Sequence, residues 1–553
     1  MFDPLIQALV SAILRMPKPQ TFTTKLEVST ERSHNIAVEY VEPGIPAEYI
    51  PRDQQTAAEM AKKTVGGQDE VFPYRPPFFP SLVKYALVSR KWQAAVERYT
   101  FHAINAHCHE FEQLKEMVGA HPQRLRHLHY LFYNLDIPVY PNKPEQVIPW
   151  ADNCCPRNKL LQLMTELASW EEANIAPRGI ALAVRTEICE ACGTNACIER
   201  PALKLTDGRD SSSAADATSH PALPFVSCVT SFRIGKYGHP VNPPTIGRIL
   251  LSLTSLRNLD ITLGTHKDKS YREDIRDSMA LALEASTLQH IQCLKLNMNE
   301  YRPVNHHCQL ATGLDPHYPA GDRLGCAISK LAQTSLKELC LSGLISPALF
   351  GYDPDHPAYQ QTPFPRLENI EIRSPIFTYD GRWYYTGDTT AADKAFTYWE
   401  RSDQNEDEYD LDEWPNSDID SEDEDEGGDD PISILCWRTA VDSNVFKPLI
   451  RALVSATKRM PRLRHLDFRI TTWKGELYDI AMQFLGPDVK AGSLIDYLHP
   501  RREALHLKSK WVVTRGRDME WDIPDDLRAL MLQQAGEGGE VIDFHGYRLL
   551  GVH

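Results

Sequence analysis

Leu256-Arg257-Asn258-Leu259-Asp260-Ile261 decides how this chain is read: an apolar residue, two variable ones, an apolar residue, one variable, an apolar residue. The closing pair has the period of two that places both side chains on one face of a short strand. The same spacing returns at Leu125, Leu128, Tyr130; Val229, Phe232, Ile234; Ile291, Leu294, Leu296; Leu336, Leu339, Leu341; Leu367, Ile370, Ile372; and Leu463, Leu466, Phe468. Helix-period stretches precede several of them, such as Ile246 to Leu253 and Ile275 to Leu288. A strand-plus-helix unit of this size buries its apolar side only by stacking on neighbours. Successive strand ends from Ile234 to Ile372 lie 27, 35, 45 and 31 residues apart, so the repeat is irregular. The expected fold class is α/β.

The 553 residues suffice for three to four domains or for one long array of repeats. With 42% hydrophobic and 24% charged residues the composition is that of an ordinary globular protein, and collagen-like, mucin-like and wholly disordered classes are excluded. No stretch approaches the ~20 apolar residues of a spanning helix, so no membrane partner is expected. The net charge of −16 is local: sixteen acidic residues and no Lys or Arg lie between Asp403 and Asp430. Outside that tract 59 acids face 59 bases, which gives no bulk electrostatic reason to seek nucleic acid. The twelve cysteines are scattered, several within apolar runs, as expected of a reducing, intracellular setting, cytoplasmic or nuclear. The N-terminus has no basic n-region and no small-residue cleavage site, so no signal peptide is expected.

The start of the chain is explained by a duplication. Phe2 to Pro17 (FDPLIQALVSAILRMP) and Phe446 to Pro461 (FKPLIRALVSATKRMP) are identical at twelve of sixteen positions. The match continues without a gap, so that Ile36 to Tyr40 lies over Ile480 to Phe484. The bland origin is a fusion, in the gene or in its annotation, of one protein's tail to a related neighbour. Three stretches have too little apolar surface to offset the entropy of ordering them: Tyr49 to Ser81, Thr206 to Ser219 and the acidic tract. The expected organisation is a partial duplicate (1–48), a Pro-rich linker (49–80), a helical segment (81–103), a body with a loop at 206–219 (104–400), an acidic disordered tract (401–431) and a C-terminal unit completing the body (432–553).

Leu82 to Phe101 (LVKYALVSRKWQAAVERYTF) places Leu82, Tyr85, Ala86, Val88 and Trp92 on one side at helical spacing. With its Val88-Ser89-Arg90-Lys91-Trp92 core this segment resembles the second half of an F-box, as found in large fungal families. Leu161 to Val184, a helix with a Trp and then a strand, is similar to the segment that comes after the F-box in those proteins. Lys510-Trp511-Val512-Val513 and Glu520 to Arg528 resemble their C-terminal unit. The recurring Leu-rich pattern resembles a leucine-rich repeat, which implies an irregular solenoid for the body. The resemblance implies a non-catalytic interaction protein, a substrate receptor of a cullin-based ubiquitin ligase. It would contact a Skp-family adaptor through Leu82, Tyr85, Val88 and Trp92 and hold an unknown protein substrate on the body. An F-box begins Leu-Pro-x-Glu-Ile and continues as a helix. Here that place is taken by Val71 to Pro80, where four prolines in eight residues forbid one. The alternative expectation is therefore a leucine-rich scaffold with no ubiquitin role.

A search for chemistry yields no expected catalytic residue, metal or cofactor. Cys189-x-x-Cys192 with Cys197 lacks the second ligand pair of a structural zinc site. His107-Cys108-His109-Glu110 and His306-His307-Cys308 do not form a His-Glu-x-x-His arrangement. Asp418, Asp420 and Glu422 alternate like a calcium loop, but Asp423 stands where the required glycine would be. No phosphate-binding glycine loop, dinucleotide fingerprint or nucleophile elbow is present.

Overall fold

The computed structural model describes residues 90–137, 156–173, 179–188, 223–238, 243–263, 269–298, 322–351, 362–388, 438–471, 479–487, 508–516 and 519–545, with Thr390, Asp393, Val489. The N-terminal duplicate, the Pro-rich stretch, the loop at 206–219, the acidic tract, and the Cys189, His306 and Asp418 motifs lie outside these residues.

The described chain is mixed α/β, dominated by a twelve-stranded sheet whose strands follow one another in chain order. They are β1 (Ala103–His107), β2 (Tyr130–Ile137), β3 (Ile180–Ile188), β4 (Val229–Gly238), β5 (Asn258–Leu263), β6 (Cys293–Met298), β7 (Glu338–Ser342) and β8 (Asn369–Ser374). A separate two-stranded ladder, β9 (Tyr385–Thr386) with β10 (Ala440–Val441), comes next. The large sheet then resumes with β11 (His465–Ile470), β12 (Ile480–Leu485), β13 (Lys510–Arg515) and β14 (Glu540–His545). Pairing is parallel from β1 to β11 and between β13 and β14, and antiparallel at β11–β12 and β12–β13.

Parallel neighbours need a crossover, and most of these crossovers are helical. The longer helices are α1 (Arg90–Thr100), α2 (Pro156–Glu172), α3 (Pro243–Ser252), α4 (Lys269–Leu283), α5 (Arg323–Thr334), α6 (Ser443–Thr457) and α7 (Asp525–Ala535). From α2 to α7 their apolar sides meet one face of the sheet in a single continuous core. Its spine is a row of residues in register: Leu131, Leu182, Phe232, Leu259, Leu294, Leu339, Ile370, Leu466, Phe484 and Trp511. All of them are at most 4% exposed.

That row supplies the reason the recurring sequence pattern works: each closing apolar pair drops into the same two layers as its neighbours. One position departs from the expected reading. The spacing makes Tyr130 close the triplet with Leu125 and Leu128, yet in register it lies opposite Ala103 and Ala181, on the face away from the helices. Leu131 and Tyr133 take the core places, both 0% exposed, and Leu125 ends a short helical turn (Pro122–Leu125). The cause is the run Tyr130-Leu131-Phe132-Tyr133, which is apolar in both phases of the period-two pattern, so spacing alone cannot choose the face.

Gly235 in β4 stands beside an irregularity of the ladder to β3. Its φ is +85°, and a Cβ there would lie 1.8 Å from the Thr262 carbonyl oxygen of β5. Only glycine permits that approach.

Candidate functional site

The expected adaptor contacts Leu82, Tyr85 and Val88 fall outside the described residues. Trp92 falls within α1, whose Val96 is buried. α1 is tied to the first sheet unit by Glu97, which pairs with the nearly buried Arg124 at 3.2 Å. Arg124 also donates to the Met117 carbonyl and lies over the Phe101 ring, 5.0 Å from its centroid.

The face of the sheet away from the described helices is where the molecule presents varied side chains in fixed order. In each recurring unit, the single variable residue between the closing apolar pair points to this face. Those residues line up in register as Arg233, Asp260, Lys295, Cys340, Glu371 and Asp467. Flanking rows add Asn258, Cys293, Glu338, Asn369 and His465 on one side, and Thr262, Asn297, Ser342, Arg373 and Arg469 on the other. The sequence reading missed this surface because it tracked the apolar positions. The signal was present, in the identity of the residue that the pattern left variable.

Charges here are organised by pairing. Arg233 Nε donates to Asp260 Oδ2 at 2.6 Å across β4 and β5. On β8 Arg373 pairs with Glu371 at 2.8 Å, and on β11 Arg469 grips Asp467 with both Nε and Nη2. Each of the latter pairs spans two residues of one strand, so acids hold the middle row and arginines the row beyond it. The Arg373 side chain keeps 57% of its surface exposed. Two cysteines complete the centre. Burial first, and then the Glu338 carboxylate, push the Cys293 thiol up to about 12. Burial and Glu371 push Cys340 up to about 11. Thiols so far from ionisation are poor nucleophiles and poor metal ligands.

Apolar patches frame this polar centre. At one end Tyr130 and Phe132 pack on Ala181 and Ala183, with the Arg185 guanidinium 5.1 Å from the Phe132 ring centroid. At the other, Ile542, Phe544 and Val489 pack on Leu485 and Val512. Among the described residues, Asn134 Oδ1, Ser231 Oγ and Asn297 Oδ1 are buried on this face with no hydrogen-bond partner. Buried acceptors of this kind are ordinarily satisfied, by protein, water or ligand.

The remaining sequence candidates take structural places. His107 ends β1, its backbone N–H donating to Glu110 at 3.0 Å, and its ring lies 5.3 Å from that of His109. Among the described residues no group of three His, Cys, Asp or Glu side chains is arranged to hold a metal ion. Trp511, expected in the C-terminal unit, is fully buried and donates from Nε1 to Gln534 Oε1 of α7 at 2.9 Å. Arg515, at the end of the same strand, binds Asp522 and Asp543, and Asp543 also pairs with Arg528. That unit is locked by ion pairs around one buried guanidinium. Among the described residues no helix is long and apolar enough to cross a membrane.

Comparison with protein-family models, with curated proteins and with solved structures gives no match to this chain.

Proposed function

We propose that this chain is a non-catalytic protein-interaction module of the F-box type, whose leucine-rich body receives a protein substrate for a cullin-based ubiquitin ligase. One observation carries the interaction reading. A sheet held rigid from one side by a continuous apolar core presents, on the other, ordered rows of charged, polar and apolar side chains. Broad faces of this make-up suit a macromolecule rather than a small molecule, which needs a concave pocket with convergent polar groups. We read the body as a leucine-rich-repeat-like solenoid. In support, strand order follows chain order, and helices from successive units share one face. The ubiquitin role rests on the resemblance of Val88 to Trp92 to an F-box ending. We read the setting as intracellular, in keeping with Cys228, Cys293 and Cys340, which form no disulfide.

The proline-rich Val71 to Pro80 favours a second reading, a leucine-rich scaffold without a ubiquitin role. Binding of a Skp-family adaptor separates the two. The intact chain is expected to bind weakly or not at all, because half an interface does not overcome an association cost of ~4–15 kcal/mol. A chain carrying Leu-Pro-x-Glu-Ile and a helix in place of Val71 to Pro80 is expected to bind clearly. Failure of the grafted chain to bind would leave only the scaffold reading.

A further inference from the structure

α6 is one of two copies of the same sequence, and its contacts divide the shared positions from the changed ones. In α6 and the turn after it, Phe446, Leu449, Ile450, Ala452, Leu453, Val454, Ala456 and Met460 are all at most 5% exposed. Every one is identical in the N-terminal copy, as Phe2, Leu5, Ile6, Ala8, Leu9, Val10, Ala12 and Met16. Arg459 donates to the carbonyls of Thr362 and Phe350 and lies over the Phe364 ring, and Arg15 stands in its place. Those carbonyls belong to the structure preceding α6 and are particular to this socket.

Just four positions differ, and three of them face α7. Lys447 and Arg451 both pair with Asp526, and Lys458 donates to Gln533 at 2.6 Å. The copy has Asp3, Gln7 and Leu14 there. The fourth, buried Thr457, is Ile13 in the copy. The copy has thus kept what fills the socket and lost what pairs with α7. Packing decides whether a helix fits a socket, whereas exposed charge pairs decide between helices that fit equally well.

We propose that Phe2 to Pro17 is a second occupant of the α6 socket of its own chain, held out by α6 through the cation pairs to Asp526 and through short connections. α6 is tethered directly to β10 on one side and to β11 on the other, which gives it the higher local concentration. The copy can nonetheless reach. The 72 residues 18–89 extend to at most about 240 Å, whereas twelve strands at ~4.8 Å span about 55 Å.

The test damages α6 and asks whether the copy substitutes. Leu453→Asp is made in the full chain and in a chain lacking residues 2–17, and thermal unfolding is monitored for both. In the full chain we expect one cooperative transition within about 5 °C of the parent. In the truncated chain we expect the transition lost or lowered by about 15 °C or more. Truncation alone should shift the midpoint by about 2 °C at most. Adding Leu9→Asp to the full-length lesion should abolish the rescue. Adding Asp526→Lys should raise the midpoint of the full-length lesion but not of the truncated one, since it repels α6 and attracts Asp3. Leu453→Ala provides the same comparison should the Asp variants not fold. Equal damage with and without residues 2–17, or rescue that survives Leu9→Asp, would overturn the proposal.

Discussion

Ile372 and Arg373 are adjacent in β8, yet they belong to regions governed by different physics. Ile372 points into the helix-packed layer and is 0% exposed, one of a row in which every neighbour is apolar. Arg373 points to the other face with more than half its side chain in solvent. On the first face a residue is constrained by volume, because close-packed interiors tolerate neither a gap nor an excess. On the second it is constrained chiefly by charge. The contrast teaches that one strand can be tightly packed and solvent-facing at adjacent positions, so that two physical regimes are separated by a single residue step.

The largest expected effect breaks the packed face. Ile372→Ala should cost ~2–5 kcal/mol, read as a lower urea midpoint, while Arg373→Ala should change stability by no more than ~0.5 kcal/mol. Comparable losses at both positions would mean that the open face is itself a core, covered by another part of the chain.

A smaller effect sharpens the comparison on the open face. Asp260→Ala removes the 2.6 Å partner of Arg233, whose side chain is only 10% exposed, and should cost ~1–3 kcal/mol. Removing both charges together, as Arg233→Met with Asp260→Leu, should restore most of that loss, because a largely buried pair repays its own desolvation poorly. Denaturant unfolding of the two single variants and the double variant measures the coupling. No recovery in the double variant would show that the pair contributes net stability.

A pH effect compares the first sheet unit with the rest. Burial first, and then Arg124, lower the His121 imidazole; burial and then Arg98 lower His127. A lowered histidine resists protonation in the folded state. Its contribution is therefore complete above the ordinary value of ~6.5 and fades as pH falls through that value towards the lowered one. Stability should decline as pH falls below about 6.5, and the His121→Gln, His127→Gln double variant should flatten part of that decline. An unchanged profile would place the acid sensitivity elsewhere. Both residues are half-buried and Glu97 opposes the lowering of each, so the effect is small.

The smallest expected effect is that of deleting Asp403 to Asp430. Its flanks are joined by the β9–β10 ladder, which Arg438 supports by donating to the Tyr385 carbonyl and lying over the Trp383 ring. The unfolding midpoint should move by no more than ~2 °C. A fall of several degrees would show that the tract packs against one of the two faces.

Much of the fold was legible because its rule is local. The pattern read at Leu256, Leu259 and Ile261 recurs at Val229, Ile291, Leu336, Leu367 and Leu463, and each instance delivers buried residues to the same layers. The expected helical stretches at Ile246 and Ile275 are α3 and α4. β1 is not legible in this way: Ala103 to His107 carries too few strong apolar residues to announce a strand, and it forms by pairing with β2. The phase of β2 is hidden for the opposite reason, an excess of apolar residues.

Outside β1 and β2, the sequence by itself determined which residues of each recurring unit are buried, because burial follows from periodicity along a few consecutive positions. It also exposed the duplication, which is a comparison of letters. Only the tertiary structure decided which variable residues stand side by side. Register between strands is set by packing across units tens of residues apart, and no local period encodes it. The alignment of Arg233 with Asp260, or of Lys447 and Arg451 with Asp526, is a product of that register and of helix stacking. The charge pairs of the open face and those that join α6 to α7 are therefore properties of the assembled sheet.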